Sequence, residues 1–264
     1  MRLLDTRTFT LESYFDDVPP YAILSHCWEE EEVIFSDLQD LDAARRKKGF
    51  VKIENTCAQA IKDGFDYCWI DTCCIQKDSS AELSEAINSM FAWYKSSSKC
   101  YAYLADVKDS DDFAESKWFT RAWTLQELLA PSHIQTDAET GMEFFSRDWV
   151  SLGSKGGLST TISKITGIPK EYLERTSLDK ASISMRMSWA AERQATRSED
   201  IAYSLLGIFD VNMPLLYGEG KYKAFRRLQE EIMKISEDET LFAWETKQRT
   251  WYHSAPTNLY RHTT

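Results

Sequence analysis

Paired cysteines are missing from this chain. Its six Cys stand at positions 27, 57, 68, 73, 74 and 100 without a Cys-x-x-Cys spacing, and only four His accompany them. Zinc-site spacing is therefore absent. Thiols placed in apolar runs behave as small buried hydrophobes and suit a reducing cytosol. No apolar run reaches the length of a membrane span, and Met1-Arg-Leu-Leu-Asp-Thr6 lacks the apolar core of a signal peptide. Basic charge is also short. The 31 Lys and Arg face 42 Asp and Glu, for a net charge of −11, which argues against a nucleic-acid-binding surface as the main function. The one compact basic run, Arg45-Arg-Lys-Lys48, reads as the solvated face of a helix start. The expectation is a soluble cytoplasmic protein with no metal, no membrane and no nucleic acid as partner.

What is present is a core. The 264 residues are 43% hydrophobic and include nine Trp, enough for one large or two small domains. Three apolar runs read as buried strands: Tyr21–Ser25, Tyr67–Ile75 and Cys100–Ala105. Between them, Phe50, Ile53, Cys57, Ala60 and Ile61 repeat at helical spacing, as do Leu83, Ala86, Ile87, Met90 and Phe91 after a cap at Ser79 or Ser80. Trp118–Ala130 reads as a further helix, with Thr120, Trp123, Thr124 and Glu127 on one face. Strands alternating with helices predict an α/β fold with a parallel sheet flanked by helices. His133–Ser146 reads as an edge hairpin turning at Glu139-Thr-Gly141, and Ser151–Lys155 as a connector. A mostly α-helical C-terminal region follows, with patterns at Thr160–Thr166, after Pro169, at Met185–Arg193 and at Glu199–Phe209. Its last stripe is Phe225, Leu228, Ile232 and Met233. The predicted organisation is a domain over 1–150, a helical region over 151–245 packed on it, and a tail over 246–264.

In open parallel sheets, ligands sit beyond the carboxyl ends of the strands. That rule selects Ser25, His26 and Trp28 after the first strand, Asp71 at the end of the second, and Asp106 after the third. The following helix supplies Arg121, Trp123 and Glu127. Bland readings compete: His26 as a satisfied strand-end histidine, Asp71 as a turn cap, the two Trp as core, Glu29–Glu32 as a solvated acidic loop, and Glu127 as a salt-bridged or capped residue of a buried helix. A Ser25–His26 catalytic pair is disfavoured, because adjacent strand residues point to opposite faces. No thiol is marked as activated. Gly218-Glu-Gly-Lys-Tyr222 is not a phosphate loop, since it lacks the first Gly of that motif and has Tyr where Ser or Thr is required.

Three segments, Ala22-Ile-Leu-Ser-His-Cys-Trp28, Trp69-Ile-Asp-Thr-Cys-Cys-Ile-Gln76 and Trp118-Phe-Thr-Arg-Ala-Trp-Thr-Leu-Gln-Glu-Leu128, resemble the signature blocks of the fungal heterokaryon incompatibility (HET) domain, in that family's order. Arg186–Ala190, Arg197–Phe209 and Met213–Gly220 resemble the region that often follows it. One departure is Gln76-Lys77, where the second block usually reads Asp-Gln. The resemblance implies programmed death of fused fungal cells that carry incompatible alleles. It also implies a more distant similarity to TIR domains, hence a TIR-like (flavodoxin-like) sheet. In TIR domains that cleave NAD, the glutamate of a Trp-Cys-x-x-Glu-Leu pattern is catalytic. Trp123-Thr-Leu-Gln-Glu-Leu128 overlays that pattern, with Thr124 in place of Cys. The implied chemistry is hydrolysis of NAD at the nicotinamide–ribose bond with Glu127 catalytic, no cofactor, and Ser25, His26, Trp28, Asp71, Arg121 and Trp123 binding the substrate. Arg193 and Arg197 join them if the helical region folds back over the sheet edge. Self-association and an incompatible-allele protein are the implied partners. The alternative is a non-catalytic death-signalling module that acts through self-association; a thiol enzyme is disfavoured.

Overall fold

The structure is a computed structural model, and it describes residues 1–131, 141–174 and 176–242. Seven strands form one mixed sheet. They are β1 (Arg2–Asp5), β2 (Leu11–Ser13), β3 (Tyr21–His26), β4 (Tyr67–Trp69), β5 (Lys99–Tyr103), β6 (Gly141–Phe145) and β7 (Ser151–Ser154), in the order β2-β1-β4-β3-β5-β6-β7. The four central strands β4, β3, β5 and β6 are parallel; β3, β4 and β5 lie in the three apolar runs expected to be strands, whereas β6 falls in the stretch expected to be an edge hairpin. All six residues of β3 are buried, so it has no solvent face and no alternation. The sheet is not purely parallel: the β1–β2 hairpin adds antiparallel to β4, and β7 adds antiparallel to β6.

Eleven α-helices and five short 3-10 helices complete the described chain. The first five α-helices are α1 (Leu41–Ala44), α2 (Phe50–Lys62), α3 (Asp71–Cys74), α4 (Ser80–Ser96) and α5 (Trp123–Leu129). After the sheet come α6 (Ser159–Thr166), α7 (Lys170–Glu174), α8 (Ile183–Ala190), α9 (Asp200–Tyr203), α10 (Leu206–Phe209) and α11 (Lys221–Ile235). α2 buries Phe50, Ile53, Cys57 and Ala60 against β3 and β4, while Ile61 stays exposed. The Ser79 hydroxyl accepts the Glu82 amide and caps α4 as expected. From β3 the chain moves one way to β4, and α4 then carries it across to β5 on the other side of β3. Strand order therefore reverses at β3, and a crevice forms there at the carboxyl ends.

Several expectations change. Tyr67–Ile75 is not one strand: β4 stops at Trp69, and Cys73 and Cys74 return their amides to the Ile70 carbonyl in a buried helical turn. A buried turn is as apolar as a buried strand, and periodicity does not separate the two. Trp118–Ala130 breaks at Arg121. Lys117–Thr120 is a 3-10 turn, Arg121 is extended, and α5 begins at Trp123, so Thr120 is off the helix face. Glu199–Phe209 likewise divides into α9 and α10. The hairpin expected within 133–146 has its first arm and most of its turn outside the described residues, where the tail also lies; its last residues form β6, which pairs antiparallel with β7 in a different hairpin. Ser151–Ser154 is thus a strand rather than a connector. In α11 the buried stripe is Ala224, Leu228 and Ile232, and Met233 is exposed. α10 lies so close to α4 that a Cβ on Gly207 would sit 2.0 Å from the Phe91 Cβ. Among the described residues no helix is long and apolar enough to cross a membrane, and no group of three or more His, Cys, Asp or Glu is arranged for a metal.

Candidate active site

The last two residues of β3 each hold one carboxylate. The Ser25 hydroxyl donates to Glu127 Oε2 on α5 and accepts the Trp118 indole N–H at 2.9 Å. Next to it, His26 Nε2 lies 3.0 Å from Asp71 Oδ1, and Trp28 Nε1 donates to Asp71 Oδ2 at 2.8 Å. The strand places Ser25 and His26 side by side in sequence but directs them to different acids, as alternation requires. Asp71 opens α3 directly after β4, which brings its carboxylate to the same sheet edge.

Both carboxylates border a cavity of about 380 Å³. Its wall contains His26, Trp28, Asp71, Arg121, Trp123 and Glu127, so six of the seven residues expected to form a site meet there. Ser25 lies behind Glu127, fully buried. Ile75, Leu83, Ile87 and Met90 form an apolar side. The C-terminal half closes the rest with Thr196, Arg197, Asp200 and Tyr217. Asp106 is absent from the wall; it accepts the Ser116 hydroxyl and the Lys117 amide, both at 2.8 Å, and holds the turn before α5.

The helical half is fastened to the segment that carries Glu127. Gln194 and the Thr120–Ala122 backbone exchange hydrogen bonds of 2.7 and 2.8 Å. The buried Arg193 donates to the Arg121 carbonyl at 2.8 Å and to the Thr124 hydroxyl at 2.9 Å. Asp200 accepts Trp123 Nε1 at 3.2 Å and the Tyr217 hydroxyl at 2.9 Å, while Arg197 stacks 4.3 Å from the Tyr217 ring centre. Asp200, Tyr217, Thr196 and Lys77 were not among the expected site residues. Asp200 and Tyr217 lie in the family-like segments of the second half and Thr196 stands just before one of them, but the fold that brings them here rests on contacts more than 70 residues apart.

The two acids differ electrostatically. Burial disfavours the charged form of Glu127, and although the bond from Ser25 opposes this, its pKa is raised to about 8. Burial acts on Asp71 as well, but the Lys77 charge and the bonds from His26 and Trp28 outweigh it and hold Asp71 well below the usual carboxylate range. Near neutral pH one acid is mostly protonated and the other ionised. Burial pushes the Cys27 thiol up to about 12, so it carries no activated thiolate.

The bland readings divide. His26 is satisfied at Nε2 but its buried Nδ1 has no partner. Asp71 binds across the cavity edge and does not cap its own turn. Glu127 is neither capped nor salt-bridged: its partner is a hydroxyl. The acidic run is no free loop, because Glu29 lies 3.2 Å from the buried Lys52, Glu32 pairs with the same ammonium, and Glu31 pairs with Lys48.

Fold and site together define an α/β protein with a buried carboxylic acid at the carboxyl edge of its parallel strands. Residues 21–114 match the heterokaryon incompatibility protein (HET) family, and residues 223–262 match a domain of unknown function, DUF8212, part of which lies outside the described residues. Over 230 residues the chain is 50% identical to the vegetative incompatibility protein HET-E-1 of Podospora anserina, an alignment covering 82% of this chain and 16% of that protein. The chain carries a heterokaryon incompatibility (HET) domain. No solved structure matches it.

Proposed function

We propose that this chain is the effector domain of a fungal incompatibility system and that it kills by hydrolysing NAD at the nicotinamide–ribose bond. The observation that carries the reading is Glu127, an acid buried on the cavity wall and held by Ser25 at the strand edge where α/β sheets bind ligands. Counted along the chain, the four parallel strands run 2-1-3-4 across the sheet, an order shared with flavodoxin-like sheets, and this supports the TIR-like reading.

In this mechanism the bond from ribose C1′ to the nicotinamide nitrogen breaks and its electron pair leaves with nicotinamide. The ribose becomes oxocarbenium-like, and an ionised Glu127 beside it stabilises the developing charge. Water then adds to C1′, and its proton passes to Glu127. The raised pKa is compatible with this role, because a cationic ring bound beside Glu127 favours the ionised form. Trp28 and Trp123 supply aromatic faces, Asp71 an acceptor for ribose hydroxyls, and Arg121 and Arg197 guanidinium groups for phosphate.

Purified wild-type protein is expected to release nicotinamide from NAD, more steeply as protein concentration rises if assembly completes the site. Glu127→Gln should fold and release none. Wild-type release rates from a folded Glu127→Gln protein would sink the reading.

One observation favours a second reading. Glu127 is almost wholly buried and already satisfied by Ser25, as a structural acid would be. In that reading the chain is a non-catalytic death-signalling module that acts through self-association. Cell death without loss of NAD would select it, and a toxic obligate monomer would refute it.

A further inference from the structure

One cation in the cavity is held without hydrogen bonds. Lys77 Nζ is shielded from solvent and has no hydrogen-bond partner. An ammonium carries three donors, and leaving them unmade when buried is costly. Two contacts keep it there. Nζ sits 3.5 Å from the centre of the Trp28 ring and 3.8 Å from Asp71 Oδ2, the latter beyond hydrogen-bonding distance. The Asp71 oxygens are already engaged by His26 and by Trp28 itself. The Trp28–Asp71 bond also fixes the indole, giving a rigid aromatic face with a carboxylate at its edge.

Such a box suits a cation that has no N–H to satisfy. An aromatic face recognises delocalised or quaternary charge through the ring quadrupole, and the nearby carboxylate adds Coulomb attraction. Lysine is poorly matched to it, because a compact ammonium is strongly hydrated. Its flexible stem also lets it withdraw.

We propose that Trp28 and Asp71 form a binding site for a permanently cationic aromatic ring of the pyridinium class, and that Lys77 occupies this site in the empty protein. The ligand ring displaces the Lys77 ammonium, which regains water. A neutral ring of the same shape gains no Coulomb attraction and does not displace it, so the box selects an oxidised nicotinamide ring over a reduced one. The identity of the ring rests on the hydrolase reading; the box itself does not.

The test uses 1-methylnicotinamide, a permanent pyridinium cation, and nicotinamide, its neutral counterpart. Each is titrated by calorimetry into wild-type protein, Lys77→Met, and Lys77→Met with Trp28→Leu. Lys77→Gln, which keeps a polar tip, serves if Lys77→Met does not fold. Removing the ammonium should tighten the cation about tenfold, in the range of a desolvated cation–π contact, and tighten the neutral probe distinctly less, because it gains only the vacated face and no relief from charge repulsion. Trp28→Leu should abolish the gain. Equal affinities for both probes in the Lys77 variant, no gain over wild type, or no binding in any protein would overturn the proposal. Because neither probe is cleaved, the two readings fail separately. Cation binding that tightens in Lys77→Met while wild type leaves NAD intact keeps the box and removes the hydrolase. NAD cleavage without that gain does the reverse.

Discussion

Glu127 gives the folded protein a proton that the unfolded chain does not hold. Its ordinary pKa is 4.5, and burial raises it to about 8 against the opposing bond from Ser25. Between those values the folded state binds more protons than the unfolded state, so this group's contribution is fully present below 4.5 and is lost as pH rises through about 8. Glutamine has nearly the same shape and never ionises. Its carbonyl can still accept from Ser25, whose own acceptor bond from Trp118 is untouched. Glu127→Gln is therefore expected to gain on wild type by about 1.4 kcal/mol for each pH unit in that window. Urea unfolding of both proteins from pH 5 to pH 9 measures the difference. A constant gap across the range would mean that Glu127 is ionised in the folded protein throughout. The same burial makes Glu127 a usable functional acid only when a ligand or a local opening brings it an ionising partner, and this links its stability profile to the cationic-ring site.

At the scale of elements, the short helix α5 carries the argument. Seven residues do not form a stable isolated helix, and other elements secure both ends. Arg193 holds the N-terminal side through the Arg121 carbonyl and Thr124. The fully buried Lys155, just past β7, donates to the Leu128 carbonyl at 2.9 Å and the Pro131 carbonyl at 2.6 Å. Burial lowers the Lys155 pKa to about 8, yet its two carbonyl bonds satisfy the C-terminal end of α5. Lys155→Met fills similar volume and leaves both carbonyls unpaired, so a loss of about 2–4 kcal/mol is expected. Chemical denaturation checks it; a loss under about 0.5 kcal/mol would show that water replaces the ammonium without cost. α5 also shows how far the chain was legible. Its apolar side and the Glu127 position follow from local spacing, but its start does not. The break at Arg121 is set by pairing with Gln194, a partner that no local pattern announces. For the same reason the strand-end rule located His26, Trp28 and Asp71, whereas Asp200 and Tyr217 reach the cavity only through tertiary contacts. The β1–β2 hairpin escaped because its strands are three and four residues long and one is barely buried.

For the molecule as a whole, residue 150 is a change of composition and not a seam in the structure. Beyond it, β7 covers the edge of β6, and Lys155 and Arg193 hold the two ends of α5. Asp200 pairs with Trp123, and α10 packs through Gly207 onto Phe91 of α4. A chain ending at residue 150 would lose all of these together. It would leave the edge of β6 unpaired and the apolar faces of α4 and α5 in water, a combination that favours aggregation. The fragment is expected to lack a cooperative urea transition and the near-ultraviolet circular dichroism of packed Trp, while the full 264-residue chain retains both. A fragment 1–150 that unfolds in one sharp transition, with the near-ultraviolet spectrum intact, would show that the first half is an autonomous domain. The cavity wall from Thr196 to Tyr217 would then be a separable cover whose removal opens the site, and on the hydrolase reading nicotinamide release by that fragment would exceed that of the longer chain. The interlocked contacts favour the opposite result: loss of the fold and, with it, of the proposed nicotinamide release.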